Sequence, residues 1–303
     1  MNIKRRDFVK LAGTGCVSLV AGNVAASENI SSSEWDDAYG VLVDTTVCVG
    51  CRTCEKACNE VNKLSDQDES VFDDMSVFET HRRPTDKAYT VVNSVDNPKK
   101  PGNPYYFKVQ CMHCNHPVCV SACLVGALRK DKRGPVKYDA WKCMGCRYCL
   151  VSCPFQVPAY EYSKALGPEV RKCTFCFDRI INEGKKPACV EHCPTEALIF
   201  GKRRELIELA HSRIMKSPDR YVDHVYGEHE IGGTSWIYLA GTDFINTDLP
   251  KLDSRPFPEL TESIQHGIFK NFIPPIALYG FLGLVMFSLR KKEQKKENND
   301  VIS

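Results

Sequence analysis

Residues 143–154, Cys-Met-Gly-Cys-Arg-Tyr-Cys-Leu-Val-Ser-Cys-Pro, place cysteines at 143, 146, 149 and 153, with proline directly after the last. Two-residue gaps in a turning loop let three sulfurs converge on three corners of one iron–sulfur cube. The fourth cysteine leaves on the next helix, points away and reaches a second cube. A proline after it suits a turn that needs no amide donor. Gly145 stands between ligands, where it allows positive φ and exposes backbone amides to cluster sulfur.

Three further groups flank this one. They are Cys48-x2-Cys51-x2-Cys54-x3-Cys58, Cys111-x2-Cys114-x4-Cys119-x3-Cys123 and Cys173-x2-Cys176-x12-Cys189-x3-Cys193-Pro194. The chain holds 17 cysteines, and only Cys16 stands outside the four groups. Disulfides need no such regular gaps, and cysteines two residues apart are too close for ordinary bridging. Zinc also uses Cys-x2-Cys pairs, so the second and fourth groups alone fit zinc knuckles. Tetrahedral zinc does not need the additional cysteines of the first and third groups. A plant-type [2Fe–2S] pattern needs a wider first gap. The spacing therefore predicts four [4Fe–4S] clusters. No ligand position carries another residue type, so a three-iron centre is not expected. His113, His116 and His192 lie near ligands and read as packing or ligand-supporting groups.

Because the last cysteine of each loop crosses over, the expected ligand sets are mixed. Cys48, Cys51, Cys54 and Cys193 form one, and Cys58, Cys173, Cys176 and Cys189 a second. Cys111, Cys114, Cys119 and Cys153 form the third, and Cys123, Cys143, Cys146 and Cys149 the fourth. The expected fold class is α+β, with two modules like a bacterial 2[4Fe–4S] ferredoxin, one nested within the other, and one C-terminal transmembrane helix. The inner module covers about 105–160; the outer joins 41–62 to 165–202. After each fourth cysteine a short helix and then a β segment are expected. Residues 59–106, rich in Asp, Asn, Lys and Pro, read as an inserted loop with short strands such as 88–92, or as a docking surface. Residues 203–215 have helical periodicity and 235–240 are β-prone.

The two ends suggest export and anchoring. Residues 1–26 carry the pair Arg5-Arg6 before Asp-Phe-Val-Lys, a weakly apolar stretch and Val24-Ala25-Ala26, the pattern of a twin-arginine signal peptide. Such export carries proteins already folded, so metal centres are built before the thiols meet an oxidising compartment. Cys16 leaves with the signal. The cluster domain spans 27–262, an anchor helix 263–290 and a basic cytoplasmic tail 291–303. Within the anchor, Phe272 to Leu289 is free of charge and is followed by Arg290-Lys291-Lys292, which the positive-inside rule places in the cytoplasm. His266, near the membrane entry, reads as an interfacial histidine.

Composition closes off other classes. Of 303 residues, 40 are Lys or Arg and 38 Asp or Glu, a net charge of only +2, so no strong positive excess exists to neutralise nucleic-acid phosphates. No Walker loop, dinucleotide fingerprint or nucleophile elbow is present, so the chain is read as non-catalytic. Arg129, Lys130, Lys132 and Arg133 form a basic turn beside a cluster loop, expected as a solvated face, with potential tuning or partner docking as the alternative.

In these features the sequence resembles the four-cluster ferredoxin-type electron-transfer subunits of membrane-bound bacterial oxidoreductases. Within that family it is most similar to the HybA-type subunits of periplasm-facing uptake [NiFe] hydrogenases. The residues that carry this second resemblance are Gln110-Cys-Met-His-Cys114, Cys146-Arg-Tyr-Cys149, Tyr226 to Thr234, Asp248 to Asp253 and Ile264-Gln-His266. It implies electron transfer from the hydrogenase small and large catalytic subunits to an integral membrane quinone-reducing subunit, on the periplasmic face of the inner membrane. The β subunit of a membrane-bound formate dehydrogenase, fed by its α subunit, is the alternative within the family. A structural metal scaffold is the alternative of another class.

Overall fold

The computed structural model describes residues 32–258 and 279–291. Residues 32–258 form one unit built around a three-stranded sheet. Its middle strand is β1 (Tyr39–Asp44), flanked by two strands from the far end of the unit, β8 (Leu198–Lys202) and β9 (Trp236–Leu239). β1 pairs antiparallel with β8, from Tyr39 opposite Lys202 to Val43 opposite Leu198. It pairs parallel with β9, from Val41 opposite Trp236 to Asp44 opposite Leu239.

Side-chain alternation divides the sheet into two faces. Val41, Val43, Trp236 and Tyr238 join the larger core, against which Cys54, Cys111, Cys114, Cys153 and Cys193 pack. Leu42, Ile237 and Leu239 point the other way, into a core closed by α6 (Arg203–Lys216). α6 presents Leu206, Ala210 and Ile214 at four-residue intervals, one stripe of a 3.6-residue helix. The sheet is thus buried on both sides, with cysteines on one face only.

Four short helices carry cysteines: α1 (Thr53–Asn62), α2 (Val118–Ser121), α3 (Tyr148–Ser152) and α5 (Ala188–Glu191). α1 packs on α5 and α2 on α3. α4 (Phe177–Glu183) follows the fourth Cys-x2-Cys loop. Two small hairpins, β4 (Leu128–Lys130) with β5 (Val136–Tyr138) and β6 (Ala159–Tyr160) with β7 (Val170–Arg171), surround a separate core of Leu128, Val136, Cys149 and Val170.

The helical turn expected after Cys123 and Cys193 lies before them, in α2 and α5. The residues after each form a turn and then a strand, because the ligand must sit at a helix end to project into a site. The segment 59–106 is also more than a loop. Thr90–Val95 (β2) forms a hairpin with Tyr105–Gln110 (β3), which buries Val91, Val92 and Phe107. The helix at 203–216 and the strand at 236–239 lie where periodicity placed them.

Residues 279–291 are helical, with Tyr279, Leu284, Met286 and Phe287 exposed. Among the described residues no helix is long and apolar enough to cross a membrane. The remainder of the expected anchor, the signal segment with Arg5, Arg6 and Cys16, His266 and the tail from 292 lie outside the described residues.

Candidate metal centres

The sixteen cysteines from Cys48 to Cys193 are all free thiols, gathered into four sets. Cys48, Cys51, Cys54 and Cys193 line one cavity, together with Gly50, Lys108 and Pro194. Cys58, Cys173, Cys176 and Cys189 line a second, with Thr90, Lys108 and Trp236. Cys114 interacts electrostatically most strongly with Cys153, Cys119 and Cys111, and Cys149 with Cys123, Cys143 and Cys146. Each set takes one thiol from a loop distant in sequence. The sets also adjoin in series, since Cys54 lies within electrostatic reach of Cys189, Cys173 of Cys111, and Cys119 of Cys149. Among the described residues no three His, Cys, Asp or Glu side chains close on a single metal ion.

The loops are wound by left-handed residues at and between the ligands. Gly50, Arg52, His113, Gly145, Arg147, Phe175 and Cys176 all have positive φ. Successive turns of this kind point backbone N–H groups into a concavity, a geometry suited to an anionic guest. Phe175 N donates to Cys173 Sγ at 3.3 Å and Ala127 N to Cys123 Sγ at 3.1 Å. The Thr53 hydroxyl donates to Cys51 Sγ at 3.4 Å and the Asn62 amide lies 3.6 Å from Cys58 Sγ. Donors to ligand sulfur stabilise the electron-rich state and tune reduction potential.

Burial pushes the thiols of Cys54, Cys58 and Cys114 well above the usual cysteine range. Cys48 and Cys149 are pushed up to about 11 and Cys173 to about 12, again chiefly by burial. Thiols held protonated by burial do not bind a metal in that form. A cationic metal centre deprotonates them outright and neutralises the result. The buried indole N–H of Trp236 has no hydrogen-bond partner, and Trp236 lines the second cavity. A sulfide-bearing guest in that cavity would offer the acceptor that Trp236 lacks. The residues therefore fit iron–sulfur clusters.

Gly50 shows how little slack the loops have. Its φ is +69°, and a Cβ there would stand 2.5 Å from the Tyr106 ring. Gly50→Ala is expected to cost roughly 2–4 kcal/mol, combining left-handed strain with overpacking. Gly102, at φ +84° with nothing within 4 Å of an added Cβ, bears only the strain, about 1–2 kcal/mol. Anaerobic thermal unfolding of the two variants checks this; equal losses would refute the steric argument.

Around the ligands, His113 is buried, and its Nδ1 accepts from Val136 N at 2.9 Å. Burial, with Lys172 and Lys130 nearby, holds its pKa well below the usual histidine range. His192 bonds the Ala188 carbonyl at 2.9 Å, and His116 stacks edge-on to Trp35. These are packing roles. The basic turn is not uniformly a solvated face. Arg129 is exposed, and Arg133 pairs with Asp131 at 2.9 Å. Lys130 turns inward instead, donating to the carbonyls of His113 and Gly134, and burial pushes it down to about 7.

Two groups were not legible in the sequence. Lys108 lines two cysteine cavities, yet the alternation Phe107-Lys-Val-Gln110 reads as a half-exposed strand with Lys108 in solvent, and only the fold shows that this stretch is buried on both faces. Glu55 in α1 accepts from Arg52 at 3.0 Å, Arg82 at 2.7 Å and Val92 N at 2.6 Å, tying residues 71–92 to the helix that bears Cys54 and Cys58.

Residues 103–203 match the 4Fe-4S dicluster domain family. The chain is 34% identical to the hydrogenase-2 operon protein HybA of Escherichia coli O157:H7, covering 98% of each chain. It is 31% identical to the iron–sulfur subunit of the nitrate-inducible formate dehydrogenase of E. coli K12, over 86% of this chain and 87% of that one. A Nitratidesulfovibrio vulgaris protein is 48% identical over 85% of this chain and 70% of its own length. Cysteine sets of this construction and similarity along nearly the whole length agree: the chain belongs to the ferredoxin-type iron–sulfur electron-transfer subunits that include HybA and the formate dehydrogenase iron–sulfur subunits, and it carries multiple [4Fe–4S] clusters.

Proposed function

We propose that this chain relays electrons from a periplasmic [NiFe] hydrogenase to an integral membrane subunit that reduces quinone. The observation that carries the relay is the gathering of sixteen thiols into four adjoining sets. In this reading each set holds one cluster, with the crossed ligands Cys193, Cys58, Cys153 and Cys123 each serving a loop other than their own. The inner module is 105–160 and the outer joins 41–62 to 165–202. Bound [4Fe–4S] clusters supply one-electron exchange at potentials set by hydrogen bonding, charge and burial. The protein's part is to hold them at fixed spacing, keep water from most of the thiols and aim N–H donors at sulfur.

Placement rests on the ends of the chain. Residues 1–26 act as a twin-arginine signal through Arg5 and Arg6, 263–290 anchor the cluster domain (27–262) in the inner membrane, and 291–303 remain cytoplasmic. Full-length similarity to HybA and this signal favour hydrogenase as the donor. Similarity to a formate dehydrogenase iron–sulfur subunit supports the second reading, in which a formate dehydrogenase α subunit takes that place.

Purification from detergent-solubilised membranes under nitrogen tests both. About 16 iron and 16 acid-labile sulfide per chain are expected, with reduction of the clusters by hydrogen and not by formate. Reduction by formate alone would transfer the relay to the second reading. Zinc at about four per chain would replace the relay with a scaffold.

A further inference from the structure

Lys108 is 3% exposed and lies on β3 between two cysteine sites, lining both the Cys48/Cys51/Cys54/Cys193 cavity and the Cys58/Cys173/Cys176/Cys189 cavity. Among the described residues no carboxylate lies in ion-pair contact with it. Its Nζ donates to Gln110 Oε1 at 2.9 Å and stands 4.4 Å from the Trp236 ring centroid. Gln110 is oriented in turn, because its Nε2 donates to the Tyr238 hydroxyl at 2.6 Å and that hydroxyl donates to the Lys108 carbonyl at 2.8 Å. The ring of bonds closes on Lys108 itself and fixes where the ammonium stands.

A buried charge without a counter-ion is costly, and a neutral amide with one aromatic face does not balance it. The groups placed to balance it are thiolate-bound clusters on either side. We propose that Lys108 is a shared, fixed positive charge that raises the reduction potential of the two clusters flanking it relative to the other two. This rests on the ligand sets proposed above. Reduction adds one electron to a cluster and no bond changes, so a cation held nearby stabilises the reduced form of whichever neighbour carries the electron. One lysine thereby makes the two sites a matched pair. Lys108 is a positioning charge and ligates nothing.

The test is an EPR-monitored redox titration of the complete membrane complex carrying Lys108→Met, Lys108→Gln or Lys108→Arg. In the two neutral variants, two of the four midpoints are expected to fall by at least a tenfold change in the reduction equilibrium, about 59 mV for one electron. The other two midpoints stay in place, and Lys108→Arg keeps all four near the parent values. Four unchanged midpoints, four that move together, or an arginine variant that behaves like methionine would each overturn the proposal. Should the neutral variants lose the flanking clusters while Lys108→Arg retains them, the charge is required there and the proposal stands; equal loss in all three overturns it. A parent complex without four cluster signals would refute the ligand sets, a separate failure visible before any variant is made.

Discussion

Cys58→Ser is expected to remove the cluster bound by Cys173, Cys176 and Cys189, and to leave intact the one bound by the three cysteines just before it in sequence. About four of 16 irons should be lost. Cys58 is buried on α1, and its strongest electrostatic neighbours are Cys173, Cys189, Lys108 and Cys176; no cysteine of its own loop stands among them. Residues that act as one unit are non-additive, so the fingerprint is a matching set of variants. Cys58→Ser should reproduce the EPR spectrum of Cys176→Ser, and the double variant should look like either single one. Cys193→Ser should reproduce Cys51→Ser. If Cys58→Ser matches Cys51→Ser instead, the crossed ligation is wrong and each loop holds its own cluster.

The second large effect lies outside the ligands. Glu55→Ala is expected to destabilise the cluster domain by about 3–5 kcal/mol, the cost of leaving buried charges without their partner. The 5%-exposed carboxylate receives two guanidinium groups and a backbone amide, and Arg52 is itself buried. Arg52 also donates to the carbonyls of Val71 and Asp74 at 2.9 and 2.8 Å, so one carboxylate organises the whole approach of the inserted segment to α1. Glu69 makes an ion pair with Lys56 at the surface, and its replacement should leave the transition unchanged. Anaerobic thermal or denaturant unfolding followed by cluster absorbance distinguishes them. A Glu55→Ala loss below about 1 kcal/mol would show that the network adds little beyond packing.

What could be read from sequence divides along physical lines. Most of the ligand loops are local objects, because a cubane demands particular short gaps and left-handed turns between successive cysteines. Cys143 to Pro154 therefore announced itself, and so did the stripe Leu206, Ala210 and Ile214. A strand near 88–92 was legible, but nothing local announces that Thr90–Val95 pairs with Tyr105–Gln110 in a hairpin whose side chains enter the core. Lys130 failed as a surface residue for a related reason: the Arg129–Arg133 turn is charged throughout, and only the fold shows which member turns inward. Lys108 and Glu55 take their meaning from groups tens of residues away, which no spacing rule reaches.

The sheet order has a consequence for the nascent chain. Thr45, just past β1, bonds the carbonyl of Leu239 in β9 across 194 positions, and β8 is also made late. On the ribosome β1 must therefore wait with both edges open until β8 has been synthesised, and with one edge open until β9 follows. A polypeptide halted anywhere before Trp236 would expose β1 to strangers along one side, and quality control would meet it as a sticky, half-roofed intermediate.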